Sequence, residues 1–188
     1  MRSLAPLLLA LASASATLAQ PALPRQSPEF VVKFPNGQEI LLSSYRGKVV
    51  VVEGLLTTCP HCQATSQMLE RLYKELRPQG LQVIGIGFNQ FADKLVDAFV
   101  RQFGISFPVG YSDEDHIKGF IGAPSDARLM APQMVIIDRK RVIRAQSGPQ
   151  GAPELQDEQK LRKILEPLLK EGSTTSKGKS TAPTKSGG

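Results

Sequence analysis

Three apolar stretches dominate the hydropathy pattern of the chain: residues 48–55, 81–88 and 133–138. The first reads as a continuous run and not as an alternation, the pattern of a strand covered on both faces; the second reads as another buried strand and the third as an apolar strand. Between them the period changes. In 63–77, Met68, Leu69, Leu72 and Leu76 recur at helical spacing, and Pro78-Gln79-Gly80 ends the pattern. In 92–103, Leu95, Val96, Phe99 and Val100 do the same, and Gly104 stops it. Residues 154–170 form a final helix with Leu161, Ile164, Leu165, Leu168 and Leu169 on one face. Shorter elements fill the rest. Runs at 30–34 and 39–42 flank Pro35-Asn36-Gly37-Gln38, a hairpin signal. Residues 105–110 read as a short strand, 117–121 as a short helix, 123–130 as a loop, and 142–146 as an edge strand after the turn 138–141. The pattern is that of an α/β chain.

The ends look different. Residues 1–19 are expected to be a secretory signal peptide, with Arg2 at the start, an apolar run over 4–12, and small residues before Ala19. A membrane anchor needs about 18 strongly apolar residues, and Ser13, Ser15 and Thr17 interrupt this stretch. Cleavage near Ala19 is the expectation, with an uncleaved anchor as its alternative. Residues 20–28 are Pro-rich and polar and read as a flexible lead-in; 172–188 are rich in Ser, Thr, Gly and Lys and read as a disordered tail. One domain, 29–171, lies between them.

The chain has 188 residues, 41% of them hydrophobic and 21% charged, which suits one globular domain. Net charge is +6, but several lysines lie in the tail (Lys177, Lys179, Lys185) and no basic patch with interleaved aromatics is present. Nucleic-acid binding is therefore not expected. Asp113-Glu114-Asp115-His116 is not read as a metal site, because consecutive side chains diverge; Asp113 is read as a helix N-cap.

The chemistry concentrates at 53–62, Glu-Gly-Leu-Leu-Thr-Thr-Cys-Pro-His-Cys. It lies where a buried strand meets a helix. Unpaired N–H groups and the partial positive charge of a helix N-terminus favour a thiolate there. Cys62 is one turn beyond Cys59 and can close a disulfide with it. Pro60 fits the first helical turn, where its missing N–H costs nothing. Export would place the pair in an oxidising compartment. A staple across so short a loop removes little chain entropy, so a redox-active disulfide is the stronger reading. Glu53 is out of place in a strand covered on both faces. It is either a partly exposed residue at the strand end or a buried proton acceptor beneath the dithiol. His61, beside the Cys59 sulfur, could stabilise its thiolate and make the couple more oxidising.

These residues resemble the thioredoxin superfamily, over roughly 29–171. The layout is similar to TlpA-like (redoxin-type) extracytoplasmic thiol–disulfide oxidoreductases. The Pro60-His61 pair, with a Glu six residues before Cys59, is similar to DsbA-type proteins. Thr58 stands where many relatives have an aromatic residue. The resemblance implies a thioredoxin-like fold: a central mixed sheet flanked by helices, with an N-terminal β-hairpin and an inserted βα unit. It implies that Cys59 attacks, that Cys62 resolves, and that Glu53 handles the proton. It makes Pro132 a cis-proline facing the dithiol, with Ala131 free to pair with an extended substrate. No cofactor and no metal are implied. The expected partners are exported proteins bearing thiols or disulfides, apocytochrome c among them, and a membrane redox protein; a monomer is expected. The direction of electron flow stays open, since the scaffold suggests a reductant and the dipeptide an oxidant. Two alternatives belong to other classes. A peroxiredoxin-type thiol peroxidase with antioxidant activity would need Thr or Ser where Leu56 stands. A copper or other metal carrier of this scaffold would have wider cysteine spacing.

Overall fold

The computed structural model describes residues 21–171. The expected signal peptide and tail lie outside the described residues. Eight strands form one sheet: β1 (Arg25–Gln26), β2 (Val31–Lys33), β3 (Glu39–Leu41), β4 (Val49–Leu55), β5 (Leu81–Gly87), β6 (Val109–Tyr111), β7 (Gln133–Ile137) and β8 (Val142–Gln146). Their spatial order is β1-β8-β7-β4-β5-β6-β2-β3. The helices are α1 (Pro60–Leu76), α2 (Ala92–Phe103), α3 (Glu114–Ile121) and α4 (Glu158–Lys170).

The unbroken apolar runs become the centre of this sheet. β4 pairs in parallel with β5 and antiparallel with β7, and all seven of its residues are buried. Successive side chains in a strand point to opposite faces. Val49, Val51 and Leu55 therefore join α1, α2 and α4 in one core, with Leu69, Leu72, Val96, Leu161 and Leu165. Val50 and Val52 join the other core, with Phe30, Ile117, Phe120 and Ile143. Each such buried side chain contributes about 1.5–3 kcal/mol, so the contacts of α1 with β4 and β5 fix the helix start firmly at the end of β4. By the same alternation Glu53 faces α1.

The hairpin forms where expected. Asn36 Oδ1 accepts the Gln38 N–H at 3.0 Å, and Gly37 takes a φ of 82°, a left-handed conformation that suits glycine. β2 then crosses β6 closely, at the Lys33–Tyr111 pair. A Cβ on Gly110 would overlap the Lys33 carbonyl and Val32.

Five expectations need correction. Residues 21–28 are not a free lead-in, because β1 pairs with Val142 and Ile143. The Ser27 N–H donates to Arg141 O at 2.8 Å, and Arg25 Nη2 donates to Phe120 O and Gln146 Oε1, both at 2.8 Å. β8 is consequently not an edge strand. β1 satisfies main-chain groups that an open edge would leave unpaired. The strand expected at 105–110 starts only at Val109; the Ser106 N–H and Oγ instead donate to Glu70, at 2.8 and 2.6 Å. The final helix is divided: a 3-10 turn, Pro153–Leu155, precedes α4, and Asp157 caps the helix proper by accepting the Lys160 N–H at 2.9 Å. Asp113 caps α3 in the same way, from His116 N–H at 2.8 Å, and that helix starts earlier than the expected 117–121. Among the described residues no helix is long and apolar enough to cross a membrane.

Candidate active site

The dithiol lies at the carboxyl end of β4. After Leu55 the chain turns sharply, and the Cys59 N–H donates to Leu56 O at 3.0 Å. The loop is held from both sides. The Thr57 N–H donates to Asn89 Oδ1 at 2.9 Å, and Gln63 Nε2 donates to Thr57 O at 3.1 Å. Cys59 occupies the N-cap position of α1 and Pro60 the first helical one, with no side chain capping the helix among the described residues. Its first-turn N–H groups therefore face the site unsatisfied by side chains.

The two cysteines differ in access. Both are free thiols; Cys59 is half-buried, and Cys62 is fully buried. The Leu56 N–H donates to Cys62 Sγ at 3.4 Å. Burial pushes the Cys62 thiol well above its ordinary range, and the nearby Cys59 and Glu53 add to the rise. A partner can thus reach Cys59 first, while Cys62 waits as a protonated thiol behind it.

Glu53 is not a partly exposed residue at the strand end: it is 0% exposed. It sits between Met134 of β7 and Gly85 of β5. Ser66, one turn beyond Cys62 on α1, donates from Oγ to Glu53 Oε2 at 2.7 Å. Oε1 is buried with no partner among the described residues. Burial raises the carboxyl to about 8, and the Ser66 bond opposes this only partly. At neutral pH roughly a tenth of the molecules carry it ionised. It can hold or release one proton in the physiological range, on the α1 side of the sheet where Cys62 is buried.

The Ala131–Pro132 peptide is cis, the isomer the resemblance implies. The pairing of Gly54 with Gln133 sets Pro132 and Ala131 beside Leu55 and Leu56, next to the dithiol loop. Pro132 is buried and Ala131 half-buried. Neither the N–H nor the C=O of Ala131 has a hydrogen-bond partner among the described residues. His61 and Pro60 are exposed on the first turn of α1.

The structure therefore brings Glu53, Cys59, Pro60, His61, Cys62, Ala131 and Pro132 to one end of the sheet. Sequence reasoning missed three supports: Ser66, Gln63 and Asn89. A usable signal existed for Ser66, a hydroxyl four residues after Cys62 and so on the same helix face. Asn89 gave none, because its contact with Thr57 joins two loops far apart in sequence. A cavity of about 540 Å³ lies elsewhere, between β2 and α3, lined by Phe30, Lys33, His116 and Phe120 among others, and holds no dithiol residue. Thiol exchange needs an accessible sulfur and not a deep pocket, so geometry and chemistry favour the dithiol.

Comparison with known proteins bears on the family and the fold. Residues 24–146 match the sequence model of the AhpC/TSA family. The chain is 33% identical over 84 residues to the thiol-disulfide oxidoreductase ResA of Halalkalibacterium halodurans, covering 45% of this chain and 47% of that one. It is 34% identical over 81 residues to the probable glutathione peroxidase 8-B of Xenopus laevis, covering 39% of each. In both cases the match spans about half of the relative's length or less. With ResA of Bacillus thuringiensis the identity is 28% over 141 residues, covering 74% of this chain and 77% of the relative. Among solved structures, a thiol:disulfide interchange protein of the thioredoxin family from Chlorobium tepidum superposes with a TM-score of 0.64 at 22% identity, covering 79% of this chain and 99% of that one. The fold is thioredoxin-like.

Proposed function

The chain belongs to the AhpC/TSA family, and from that premise we propose that it is a thiol–disulfide oxidoreductase working through Cys59 and Cys62. The observation that carries this reading is the pairing of an accessible Cys59 at the start of α1 with a buried Cys62 and a buried Glu53 behind it. The Cys59 thiolate attacks one sulfur of a partner disulfide, and the other sulfur leaves as a thiolate. Cys62 then loses its proton and attacks Cys59 Sγ. The partner leaves as a dithiol and Cys59–Cys62 becomes the disulfide. Two electrons pass to the partner, and the reverse sequence oxidises it. The ionised fraction of Glu53 takes the Cys62 proton in the first direction, while the partner's two thiolates take theirs from solvent, and protonated Glu53 returns the proton to Cys62 in the second. An extended partner segment pairs with the Ala131 main chain beside Pro132, where no ladder bond competes. His61 tunes the couple from the helix start.

The substrates we propose are exported proteins bearing cysteine thiols or disulfides, apocytochrome c among the candidates, with a membrane redox protein as the electron partner. Residues 1–19 would direct the chain out of the cytoplasm, the folded domain would end near 171, and the chain would act as a monomer. The peroxidase alternative is weaker. Leu56 stands where a hydroxyl would be needed, and its N–H is engaged by Cys62.

Two variants test the reading. Cys59→Ser is expected to abolish exchange, and Cys62→Ser to accumulate mixed disulfides visible on non-reducing gels. Retained turnover in Cys59→Ser would sink the assignment. A reduction potential near about −120 mV would make the protein an oxidant, and one near about −270 mV a reductant.

A further inference from the structure

Gln133, the first residue of β7, is 1% exposed and lies among apolar neighbours. Its side chain shares the sheet face of Val135 and Ile137, opposite α1, so it does not reach the reacting sulfurs. Gly54 lies across from it in β4, and a Cβ there would come within 3.3 Å of the Gln133 Cβ. The strand has a glycine where the amide side chain needs room.

That amide joins two loops. Gln133 Nε2 donates to Met130 O at 2.6 Å and to Gly148 O at 3.2 Å, and lies 3.4 Å from Pro149 O. The Met130 N–H donates to Pro149 O at 2.8 Å. Both main-chain groups of Met130 are therefore fixed, while both main-chain groups of the next residue, Ala131, are unpaired among the described residues. The Gln133 Oε1 is buried without a partner among the described residues. Core packing alone would favour an apolar side chain here over a half-satisfied amide.

We propose that Gln133 is a positioning residue for polypeptide substrates. It locks the Met130 peptide groups and thereby sets the Ala131 N–H and C=O at the orientation a partner strand needs. The consequence is selectivity: extended polypeptide disulfides gain from this preset edge, and small disulfides, which have no main chain to pair, do not. The proposal rests on the reading of Cys59 as the attacking sulfur.

The test is single-turnover oxidation of the full reduced chain, followed in excess substrate. One substrate is a disulfide joining two linear peptides, and the other is 5,5′-dithiobis(2-nitrobenzoate). Gln133→Met keeps the length of the side chain and removes its donors. The peptide rate constant is expected to fall about tenfold, the worth of one to two main-chain hydrogen bonds, with less than about a twofold change for the small disulfide and an unchanged reduction potential. Equal losses on both substrates, or no loss on either, would overturn the proposal. Wild-type protein that reacts with neither would instead sink the functional reading. If Gln133→Met does not melt cooperatively, Gln133→Asn, whose amide falls one methylene short, is judged by the same two rates. Hydrogen exchange gives an independent check. Ala131 N–H should exchange more slowly once Cys62→Ser is trapped on the peptide, and unchanged exchange overturns the proposal.

Discussion

Replacing Glu53 with Gln isolates the cost of keeping a carboxyl inside the sheet. Burial holds this group at about 8, against an ordinary value of 4.5. Between those two pH values the unfolded chain is ionised at Glu53 and the folded chain is neutral, so the folded state binds the extra proton. Stability contributed at this position is thus fully present below about pH 4.5 and is lost as pH rises towards 8. The loss is about 1.4 kcal/mol per pH unit for one group, or roughly 3 kcal/mol at pH 7. Gln cannot ionise, keeps the shape, and can still accept the Ser66 hydrogen bond. Its N–H2 takes the place of the carboxyl O–H. Wild type and Glu53→Gln should therefore be equally stable near pH 4. At pH 7 the variant should lead by roughly 3 kcal/mol, or about 8 °C in Tm for a domain of this size. Urea unfolding of the reduced proteins at both pH values is the assay. A gap independent of pH, or a variant less stable at pH 7, would refute the reasoning, because it would mean that a partner stabilises the ionised carboxylate. Turnover should fall in the same variant, on the order of a hundredfold, as the proton acceptor for Cys62 is gone.

Two further outcomes are expected. His61→Ala should make the Cys59–Cys62 couple more reducing by on the order of 30 mV, tenfold in the exchange equilibrium, measured in a glutathione buffer; an unchanged potential would leave His61 without a tuning role. Gly110→Ala should cost about 2–3 kcal/mol, since the new methyl group meets the Lys33 carbonyl and a backbone cannot yield as a side chain does. An unchanged Tm would show that the β2–β3 hairpin is free to move aside.

The central layer and the reactive pair were legible from local sequence. Apolar runs mark buried strands, so β4, β5 and β7 were legible within a residue or two, and α1 and α2 within about three residues from their helical spacing. The step from a Val-rich strand through Cys59-Pro60-His61-Cys62 into a helix likewise carried its chemistry locally. What the sequence left open needed distant partners. Glu53 had two readings until the fold put 0% of it in contact with solvent and set Ser66 on its Oε2. Residues 21–28 have the composition of a loose lead-in, and only the unpaired edge of β8, more than a hundred positions away, gives them a strand to form. Gln133 passed as the start of an apolar strand, because the carbonyls that hold its amide belong to two loops that meet only in the folded chain. Periodicity reports burial along one segment. The pairing of a buried polar group depends on which other segment arrives beside it, and that is decided by the tertiary structure.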